Sequence, residues 1–352
     1  MQDVLHTTLI IRLSSVGDVV LSSPLVRALR GRFPGCKIDY LVKSRYADLV
    51  TVNPHISRVI EFPDSGTIAD LVRMRRTIAS AGYDLIIDIH DSIRSRFLCA
   101  GARNVTRINK RKVPRTLLVK FKMDAYARFG GAPGVVERYF ETVREYGVVD
   151  DGLGLEIHVP AEARSTVDAL LAEEHVIKGA LCIGVCPSAR HFTKMWPGER
   201  FAAAAGELAD STNATVLLFG AEDERNRCEL IAHLIERQFP GTQVVNLAGW
   251  TSLLETAAAI DRCRVVLTND TGLMHIAAAR GVRVVAIFGP TVRQFGFFPP
   301  ERTSTVIQVE GLSCRPCSHV GLPRCPKGHF RCMHDISVET VMAAARTHLE
   351  GA

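Results

Sequence analysis

Short apolar runs rich in β-branched residues alternate with stretches of helical periodicity in both halves of the chain. This alternation is typical of βα units, in which parallel strands are joined and covered by helices. It therefore predicts the α/β fold class, with a parallel sheet in each half. The predicted strands are residues 8–13, 38–42, 58–62 and 85–90 in the first half, and 181–186, 215–219, 243–247, 264–268 and 283–288 in the second.

The length predicts two domains, because 352 residues with 47% hydrophobic content exceed what one core usually sustains. A polar, glycine-containing segment at 150–154 lies between the halves and precedes a further predicted strand and helix. We place the domains at 1–175 and 176–335, followed by a C-terminal helix at 336–352 that packs back across the domains. Two helix starts in the second half are clear: Trp196-Pro197, with proline in the first turn, and the capping box of Ser252 and Glu255.

The first twenty residues contain an apolar stretch, but Arg12 and Asp18 interrupt it before it reaches the length of a membrane span. We therefore expect a cytoplasmic protein. The net charge of +6 is modest, and it favours an acidic partner such as phosphate or carboxylate without indicating nucleic acid. Six cysteines scattered through apparent core elements are interpreted as buried thiols: Cys36, Cys99, Cys182, Cys186, Cys228 and Cys263.

The segment Ser14-Ser15-Val16-Gly17-Asp18 follows the first predicted strand and opens a helix. Ligands of open α/β sheets bind at such strand ends, where glycine permits close approach of the backbone. Asp18 has two interpretations that the sequence leaves open. It is a general base at a ligand site, or it caps the helix.

A polar, basic loop runs from Cys186 to Pro197, between a strand end and the next helix. The Ser188 hydroxyl and the Lys194 ammonium could neutralise the charge that builds on a departing nucleoside diphosphate. The alternative is an ordinary solvated loop.

A third strand end turns through glycine into a helix, with the sequence Thr268-Asn269-Asp270-Thr271-Gly272-Leu273-Met274-His275. Such a helix start offers unpaired N–H groups to a phosphate. Asp270 or Thr271 could instead only cap the helix, and His275 could be a hydrogen-bonded core histidine.

Four motifs in this order and spacing resemble the lipopolysaccharide heptosyltransferases of glycosyltransferase family 9, in particular heptosyltransferase II-like members: residues 12–18 with Pro24, 194–197, 268–275 and 288–291. The resemblance covers essentially the whole chain. It implies a GT-B fold, in which two Rossmann-like parallel-sheet domains face a central cleft. The first domain would bind the acceptor and the second the nucleotide sugar.

The activity implied by the resemblance is an inverting, metal-independent transfer of heptose from ADP-L-glycero-D-manno-heptose. The implied acceptor is the inner core of lipopolysaccharide, either Kdo-lipid A or a heptosylated core. The resemblance also implies peripheral contact of the protein with the inner membrane surface. The catalytic base of the family corresponds to Asp18. The donor-binding positions correspond to Ser188, Lys194, Glu224, Asp270, Thr271, Gly272, Met274 and His275. Glu222 is the alternative to Glu224. No cofactor is expected for catalysis.

Residues 94–128 are crowded with cations, a pattern that usually indicates a solvated face. In a heptosyltransferase this segment lies where the first domain should meet the acceptor, whose Kdo carboxylates and core phosphates require cations. The favoured acceptor-binding residues are Arg94, Arg96, Lys110, Arg111 and Lys112.

Four cysteines near the C-terminus, Cys314, Cys317, Cys325 and Cys332, have the composition of a structural zinc site. The first pair has the informative C-x₂-C spacing, whereas the second pair is wider than a standard zinc ribbon. Buried or exposed free thiols are the alternative.

Three other functions remain open from the sequence. One is a GT-B transferase that uses another nucleotide sugar, and another is a non-catalytic sensor of sugar nucleotides. The third, of a different class, is a zinc-containing nucleic-acid-binding protein, for which Phe121, Tyr126 and Phe129 could stack on bases among the basic residues.

Overall fold

The structure is a computed structural model, which describes residues 4–350. The chain forms two compact units, each built around one parallel sheet. The first unit contains the residues up to Lys112 and Pro133–His158, and the second contains Val113–Ala132 and the residues from Val159 onward. The strands are β1 Thr7–Ile11, β2 Lys37–Lys43, β3 Arg58–Phe62, β4 Leu85–Asp88, β5 Val105–Arg107, β6 Cys182–Cys186, β7 Thr215–Leu218, β8 Val244–Asn246, β9 Cys263–Asn269, β10 Arg283–Phe288 and β11 Ser304–Gln308.

The α-helices are α1 Val16–Val20, α2 Ser23–Arg32, α3 Asp48–Thr51, α4 Ile68–Ala81, α5 Ile93–Leu98, α6 Lys112–Phe121, α7 Val135–Glu141, α8 Ala161–Glu173, α9 Gly198–Thr212, α10 Arg225–Gln238, α11 Leu253–Ile260, α12 Gly272–Ala279, α13 Arg331–His334 and α14 Val338–Glu350. The predicted capping box of Ser252 and Glu255 is confirmed at the start of α11. The Glu255 carboxylate accepts from the Ser252 N–H at 2.7 Å, and the Ser252 hydroxyl accepts from the Glu255 N–H at 3.3 Å.

The first sheet has the parallel order β3-β2-β1-β4-β5. Strands β1 and β4, in the interior of this sheet, bury nearly every residue, as is usual for parallel strands with helices on both faces. The order reverses between β1 and β4, where Ile11 lies opposite Asp88. Such a reversal opens a crevice at the carboxyl ends of the two strands.

The second sheet repeats this plan with the order β11-β10-β9-β6-β7-β8. Its reversal lies between β6 and β9, where Cys186 is opposite Thr268. The core of this unit contains Trp196, which is fully buried and donates its indole N–H to the Ile336 carbonyl at 3.2 Å. Helix α14 packs on α9 and on strands β9 to β11 of the same unit. The predicted packing of this helix across the domains stays a prediction.

The segment 113–132 joins the second unit although it lies in the first half of the sequence. Leu118 and Tyr126 are buried against Phe295, and the Lys122 ammonium donates to the Pro316 carbonyl at 2.6 Å. The compact units therefore differ from the ranges 1–175 and 176–335, because residues 113–132 and 159–175 belong with the second sheet. The ligand assignments of the two predicted domains stay predictions.

Nine of the ten predicted strands are present, and two further strands, β5 and β11, complete the sheets at their edges. With three residues, β5 is too short to show strand periodicity, and β11 mixes polar and apolar residues. The strand expected before α8 is absent from the described residues, where 155–160 run as irregular chain. No helix among residues 4–350 is long and apolar enough to cross a membrane.

The interpretation of the six scattered cysteines is confirmed, since all of them are buried and free. Burial raises the pKa of Cys228 to about 12, so this thiol is uncharged at neutral pH. These cysteines act as small apolar residues of the core.

Candidate active site

In the first unit, charged side chains gather where the strand order reverses. Asp18 follows β1 on the short helix α1, whereas His90 and Asp91 follow β4. The carboxyl ends of these neighbouring parallel strands lie at one edge of the sheet, which is where open α/β sheets bind their ligands.

Asp18 is held by a buried arginine. Arg12 lies directly after β1, with its Nη2 2.5 Å from Asp18 Oδ1 and its Nη1 donating to the Ile89 carbonyl at 2.5 Å. The other carboxylate oxygen of Asp18 accepts from the Ser15 N–H and hydroxyl, at 3.2 Å and 3.0 Å. Asp18 therefore caps α1 and forms an ion pair at the same time, so the two interpretations of the sequence are compatible.

The Asp18 side chain remains 16% exposed, which leaves it reachable from solvent. Burial alone would raise the pKa of this carboxyl, but the charge of Arg12 and the hydrogen bonds from Ser15 and Arg12 outweigh it and lower the pKa below its ordinary value. Asp18 is consequently an anion throughout the neutral range. An ionised carboxylate is the form that accepts a proton.

Two further titratable groups face this pair. Burial, followed by the charges of Arg12 and Lys110, lowers the pKa of His90 to about 3, so its ring is neutral. Burial and the charge of Arg12 also lower the pKa of Lys110, while Asp91 and Asp18 act in the opposite direction. The edge of the first sheet thus combines the Asp18 and Asp91 carboxylates, a fixed guanidinium, a neutral imidazole and a half-buried ammonium.

The predicted acceptor-binding cations divide into two groups. Three are paired within the unit: Arg96 Nε lies 2.6 Å from Asp91, Lys112 Nζ lies 3.4 Å from Asp91, and Arg111 Nη2 lies 2.6 Å from Glu141. Arg94 is exposed on α5, and Lys110 is half-buried beside the Asp18 pair. Of the five, Lys110 is the one that the structure brings closest to the Asp18 environment.

In the second unit, the loop after β6 is fastened to the end of β9. Asn269 accepts from the Trp196 N–H at 2.9 Å and donates its side-chain amide to the Pro187 carbonyl at 2.8 Å. Both bonds are buried, so the loop carrying Ser188 and Lys194 has a fixed conformation rather than that of a solvated loop.

Lys194 is the centre of this second cluster. Its Nζ lies 2.7 Å from Asp270 Oδ2, and the same oxygen accepts from the Thr291 hydroxyl at 2.7 Å. The Lys194 side chain is 15% exposed, so the ammonium is partly accessible while Asp270 is almost buried. Gly289 permits this close packing, because a Cβ added there would lie 3.0 Å from the Thr193 carbonyl oxygen and 2.7 Å from Met333 Cε.

The remaining predicted donor residues surround this cluster on the same sheet edge. Ser188 is buried, and its hydroxyl oxygen lacks a hydrogen-bond partner within the described chain. Thr271 is the N-cap of α12 and leaves the first N–H groups of that helix without a side-chain cap. Met274 and His275 are buried in α12, so any ligand contact at Met274 is made by its backbone. Thr271 and Gly272 are half-exposed.

Glu224 lies at the end of the turn that follows β7, where its carboxylate accepts a hydrogen bond from the Ala221 N–H at 2.9 Å. Burial raises the pKa of Glu224 above its ordinary value, against the effect of that hydrogen bond. Its rival Glu222 is exposed. Trp250 is also exposed, with the Arg225 guanidinium 4.5 Å from its ring centroid.

The four C-terminal cysteines do not form a tight ligand set. Among residues 4–350, one group of metal-ligating side chains has its ligand atoms within 4.8 Å of one another, and it consists of His55, Glu156 and His158. The cysteines do not form such a group. Cys332 is buried on α13 and the other three are half-buried. The predicted structural zinc at Cys314, Cys317, Cys325 and Cys332 is therefore not supported.

Sequence reasoning assigned no role to three members of these clusters, Arg12, His90 and Thr291, although Arg12 and Thr291 lie within the quoted motifs. Arg12 carried a signal, because a charged residue at the end of an otherwise apolar strand must find a partner when it is buried. His90 and Thr291 become members of the clusters only through the topology of the sheets.

The two units, each a doubly wound parallel sheet with a charged cluster at its switch point, have the architecture of the GT-B fold, which many glycosyltransferases share. Residues 71–323 match the family described as glycosyltransferase family 9 (heptosyltransferase), and the chain belongs to this family. It is thus an enzyme that transfers a glycosyl group, which favours this class over the nucleic-acid-binding alternative.

Its relatives agree with this assignment. The chain is 31% identical over 317 residues to lipooligosaccharide heptosyltransferase 2 of Haemophilus influenzae, covering 86% of this chain and 89% of that protein. It is 28% identical to lipopolysaccharide heptosyltransferase 2 of Salmonella typhimurium, covering 82% and 84%.

Solved structures confirm the predicted fold. The family 9 glycosyltransferase from Veillonella parvula matches with a TM-score of 0.83 and 22% identity, over 100% of this chain and 99% of that one. The ADP-heptose lipopolysaccharide heptosyltransferase II of E. coli matches with a TM-score of 0.75 and 23% identity, over 98% and 100%.

Proposed function

We propose that this enzyme transfers heptose from ADP-L-glycero-D-manno-heptose to the inner core of lipopolysaccharide. The names of its relatives, among them heptosyltransferases 2 from four genera, support this donor and this acceptor. The observation that carries the chemistry is the pair of Arg12 and Asp18, which holds an ionised carboxylate at the switch point of the first sheet.

We assign to Asp18 the role of general base. As an acceptor hydroxyl attacks the anomeric carbon of the donor, its proton passes to the Asp18 carboxylate while the bond from that carbon to the diphosphate oxygen breaks. A single displacement of this kind inverts the anomeric configuration. Arg12 and Ser15 orient the carboxylate, and Oδ1, which contacts only Arg12, keeps a second lone pair for the proton of the incoming hydroxyl.

We assign stabilisation of the departing ADP to the Lys194 cluster. The ammonium of Lys194 supplies the charge, and Ser188, Asp270, Thr271 and Gly272 lie around it at the strand ends and the start of α12. The first N–H groups of a helix favour an anion, and the backbone of Met274 belongs to this first turn. Glu224 is assigned to the ribose, and His275 supports the turn from within the core.

This assignment makes the transfer independent of a metal, because Lys194 and backbone donors neutralise the leaving group. We expect turnover to persist in EDTA when the fold is intact by circular dichroism. Prompt loss of turnover that Mg²⁺ restores, without a change in circular dichroism, would contradict a metal-independent reaction.

For the acceptor, we assign Lys110 as the predicted cation whose charge interacts with the base, with Arg94, Arg96, Arg111 and Lys112 at its periphery. Three of these cations already pair with carboxylates: Arg96, Arg111 and Lys112. We therefore assign to them a contribution to the positive electrostatic potential of the acceptor site rather than direct bonds to the acceptor. The anionic groups of the inner core, carboxylate and phosphate, would be recognised by this field.

We also propose peripheral contact with the inner membrane through α6 and the residues after it. Val113, Phe121, Met123 and Phe129 are exposed large apolar residues within seventeen positions of one another. Exposed cations lie among them at Lys120 and Arg128. An apolar surface interleaved with cations suits an anionic lipid surface.

One experiment tests the function as a whole. The purified enzyme is incubated with ADP-heptose and with truncated lipopolysaccharides of defined core length, and the product is identified by mass and its anomeric configuration by NMR. A mass increase of one heptose on one acceptor, with inversion, is expected. Transfer from UDP-glucose or ADP-glucose in preference to ADP-heptose would overturn the donor assignment.

A further inference from the structure

Two histidines and a glutamate meet in the first unit, away from the Asp18 pair. His55 lies in the turn between α3 and β3, and Glu156 and His158 lie two residues apart in the chain that ends this unit. A spacing of two in extended chain directs side chains to one side. The Glu156 N–H donates to the Ser23 hydroxyl at 3.0 Å, which fixes this segment against α2.

The three groups surround a common point with no hydrogen bond between them, and Glu156 forms an ion pair with either histidine only when that ring is protonated. Glu156 Oε1 lies 3.7 Å from His55 Nε2 and 3.6 Å from His158 Nε2, and all three ligand atoms lie within 4.8 Å of one another. Glu156 Oε1 and His158 Nε2 are both inaccessible and lack hydrogen-bond partners in the described chain. Buried polar atoms without a partner are costly and call for an explanation.

The separations suit ligands of one ion. Metal bonds of about 2.0–2.2 Å in a tetrahedron place neighbouring nitrogen and oxygen ligands roughly 3.3–3.6 Å apart. Imidazole and carboxylate are ligands that divalent zinc and its neighbours in the first transition row accept.

Two arginines could oppose a cation here. Arg30 donates to the His55 backbone carbonyl at 3.1 Å and 3.3 Å. Arg27 Nη1 lies 2.8 Å from Glu156 Oε2, but its guanidinium also forms two bonds with Asp151, at 2.6 Å and 2.7 Å. The two carboxylates therefore balance the two guanidinium charges. Because Arg27 engages Oε2, it orients Glu156 so that Oε1 points to the histidines, as outer partners of metal-ligating carboxylates do.

We propose that His55, Glu156 and His158 form a three-ligand site for a divalent transition metal, with Zn²⁺ as its representative and water completing the coordination. The site is structural: it fastens the last segment of the first unit to the turn before β3. It is separate from the residues assigned to transfer, and it stands whether or not the proposed donor and acceptor are right.

The test is metal uptake by the full-length enzyme, after chelation and dialysis, measured with Zn²⁺ alone. The bound metal is counted by elemental analysis, and its ligands are identified by X-ray absorption, because a nitrogen or oxygen shell at about 2.0–2.1 Å differs from a sulfur shell at about 2.3 Å. This distinction separates the site from the cysteines. Variants His158→Gln and His55→Gln each remove one ligand, and His6→Gln changes an exposed histidine of the same unit.

We expect one Zn²⁺ with nitrogen and oxygen ligands in the natural enzyme and in His6→Gln, and binding at least tenfold weaker in His158→Gln and His55→Gln. Zn²⁺ should also raise the melting temperature of the natural enzyme but not of those two variants. The proposal is overturned by absence of uptake, by a shell of sulfur alone, or by equal affinity in the natural enzyme and a folded His55 or His158 variant. If one of these variants does not fold, the Zn²⁺ affinity of the other variant tests the proposal.

Discussion

At the scale of single residues, Arg12 and Asp18 show how one carboxylate can cap a helix and remain chemically available. Ser15 uses one oxygen for the cap, and Arg12 holds the other. The sequence presents the cap and the base as rivals, whereas in the structure the cap helps to hold the base in place. The decisive question is then whether its negative charge matters for turnover.

Replacing Asp18 by Asn keeps the size and the capping oxygen but removes the proton acceptor. We expect kcat to fall by about 10²–10⁴ while ADP affinity changes little. The buried charge of Arg12 loses its anion, so stability should also fall, by up to about 3 kcal/mol. Steady-state kinetics and isothermal titration with ADP measure the first two effects, and urea unfolding the third.

The matched control is Asp70→Asn. Asp70 occupies the same capping position in α4, where it accepts from the Thr67 N–H at 2.9 Å, and it has no assigned role in transfer. Its variant should be only slightly less stable and should retain turnover. Near-normal turnover in a folded Asp18→Asn enzyme would show that Asp18 only caps α1.

Lys194 differs from Asp18 because the bound diphosphate already experiences its charge before the reaction. Lys194→Ala should therefore weaken ADP binding at least tenfold and lower turnover as well. Titration of ADP into the variant measures this, with Lys178→Ala as the control at an exposed lysine of the same unit. Unchanged ADP affinity would remove Lys194 from the donor site.

At the scale of elements, α6 and the chain after it have one face held by the second unit and one face exposed. Leu118 and Tyr126 are buried, whereas Phe121 is 63% exposed. A membrane surface would cover the exposed face.

The double variant Phe121→Ser with Met123→Ser should reduce binding to phosphatidylglycerol-containing vesicles at least fivefold, because each change removes apolar area that enters the lipid interface. Co-sedimentation measures binding, and ADP titration checks that the donor site is intact. The control pair is Ile68→Ser with Leu153→Ser, two exposed apolar residues elsewhere. An equal loss in the control pair would show that α6 has no particular role at the membrane.

At the scale of the whole molecule, His90 couples folding to pH. Its folded pKa of about 3 lies below the ordinary value of 6.5, so the unfolded chain binds a proton that the folded chain does not. The stability from this group is full above about pH 6.5 and is lost as pH falls through that value toward 3. The loss per pH unit approaches about 1.4 kcal/mol for one proton.

We expect the urea midpoint of the natural enzyme to fall steadily between pH 7 and pH 4, and the decrease to be smaller in His90→Gln, which cannot be protonated. His6→Gln, at an exposed site, should retain the slope of the natural enzyme. A His90→Gln enzyme with an unchanged slope would place the pH dependence in other groups.

The sequence by itself determined the fold class, nine of the eleven strands and the order of the motifs along the chain. These follow from local physics: buried parallel strands require continuous apolar runs, and helix starts require capping residues such as Ser252. The family resemblance also rested on the sequence, since its motifs are contiguous segments. The edge strands β5 and β11 escaped because short or mixed segments carry little periodic signal.

Tertiary structure alone decided which distant residues meet. The strand reversal between β1 and β4 brings His90 to the edge that carries Asp18, and the reversal between β6 and β9 joins Lys194 to Asp270. Sequence spacing also proved different from coordination: within the described residues the four C-terminal thiols do not form a tight ligand set, whereas His55, 101 positions before Glu156, lies beside it. Chain proximity fixes a local conformation, but a site depends on sheet order and loop packing, which no single segment encodes.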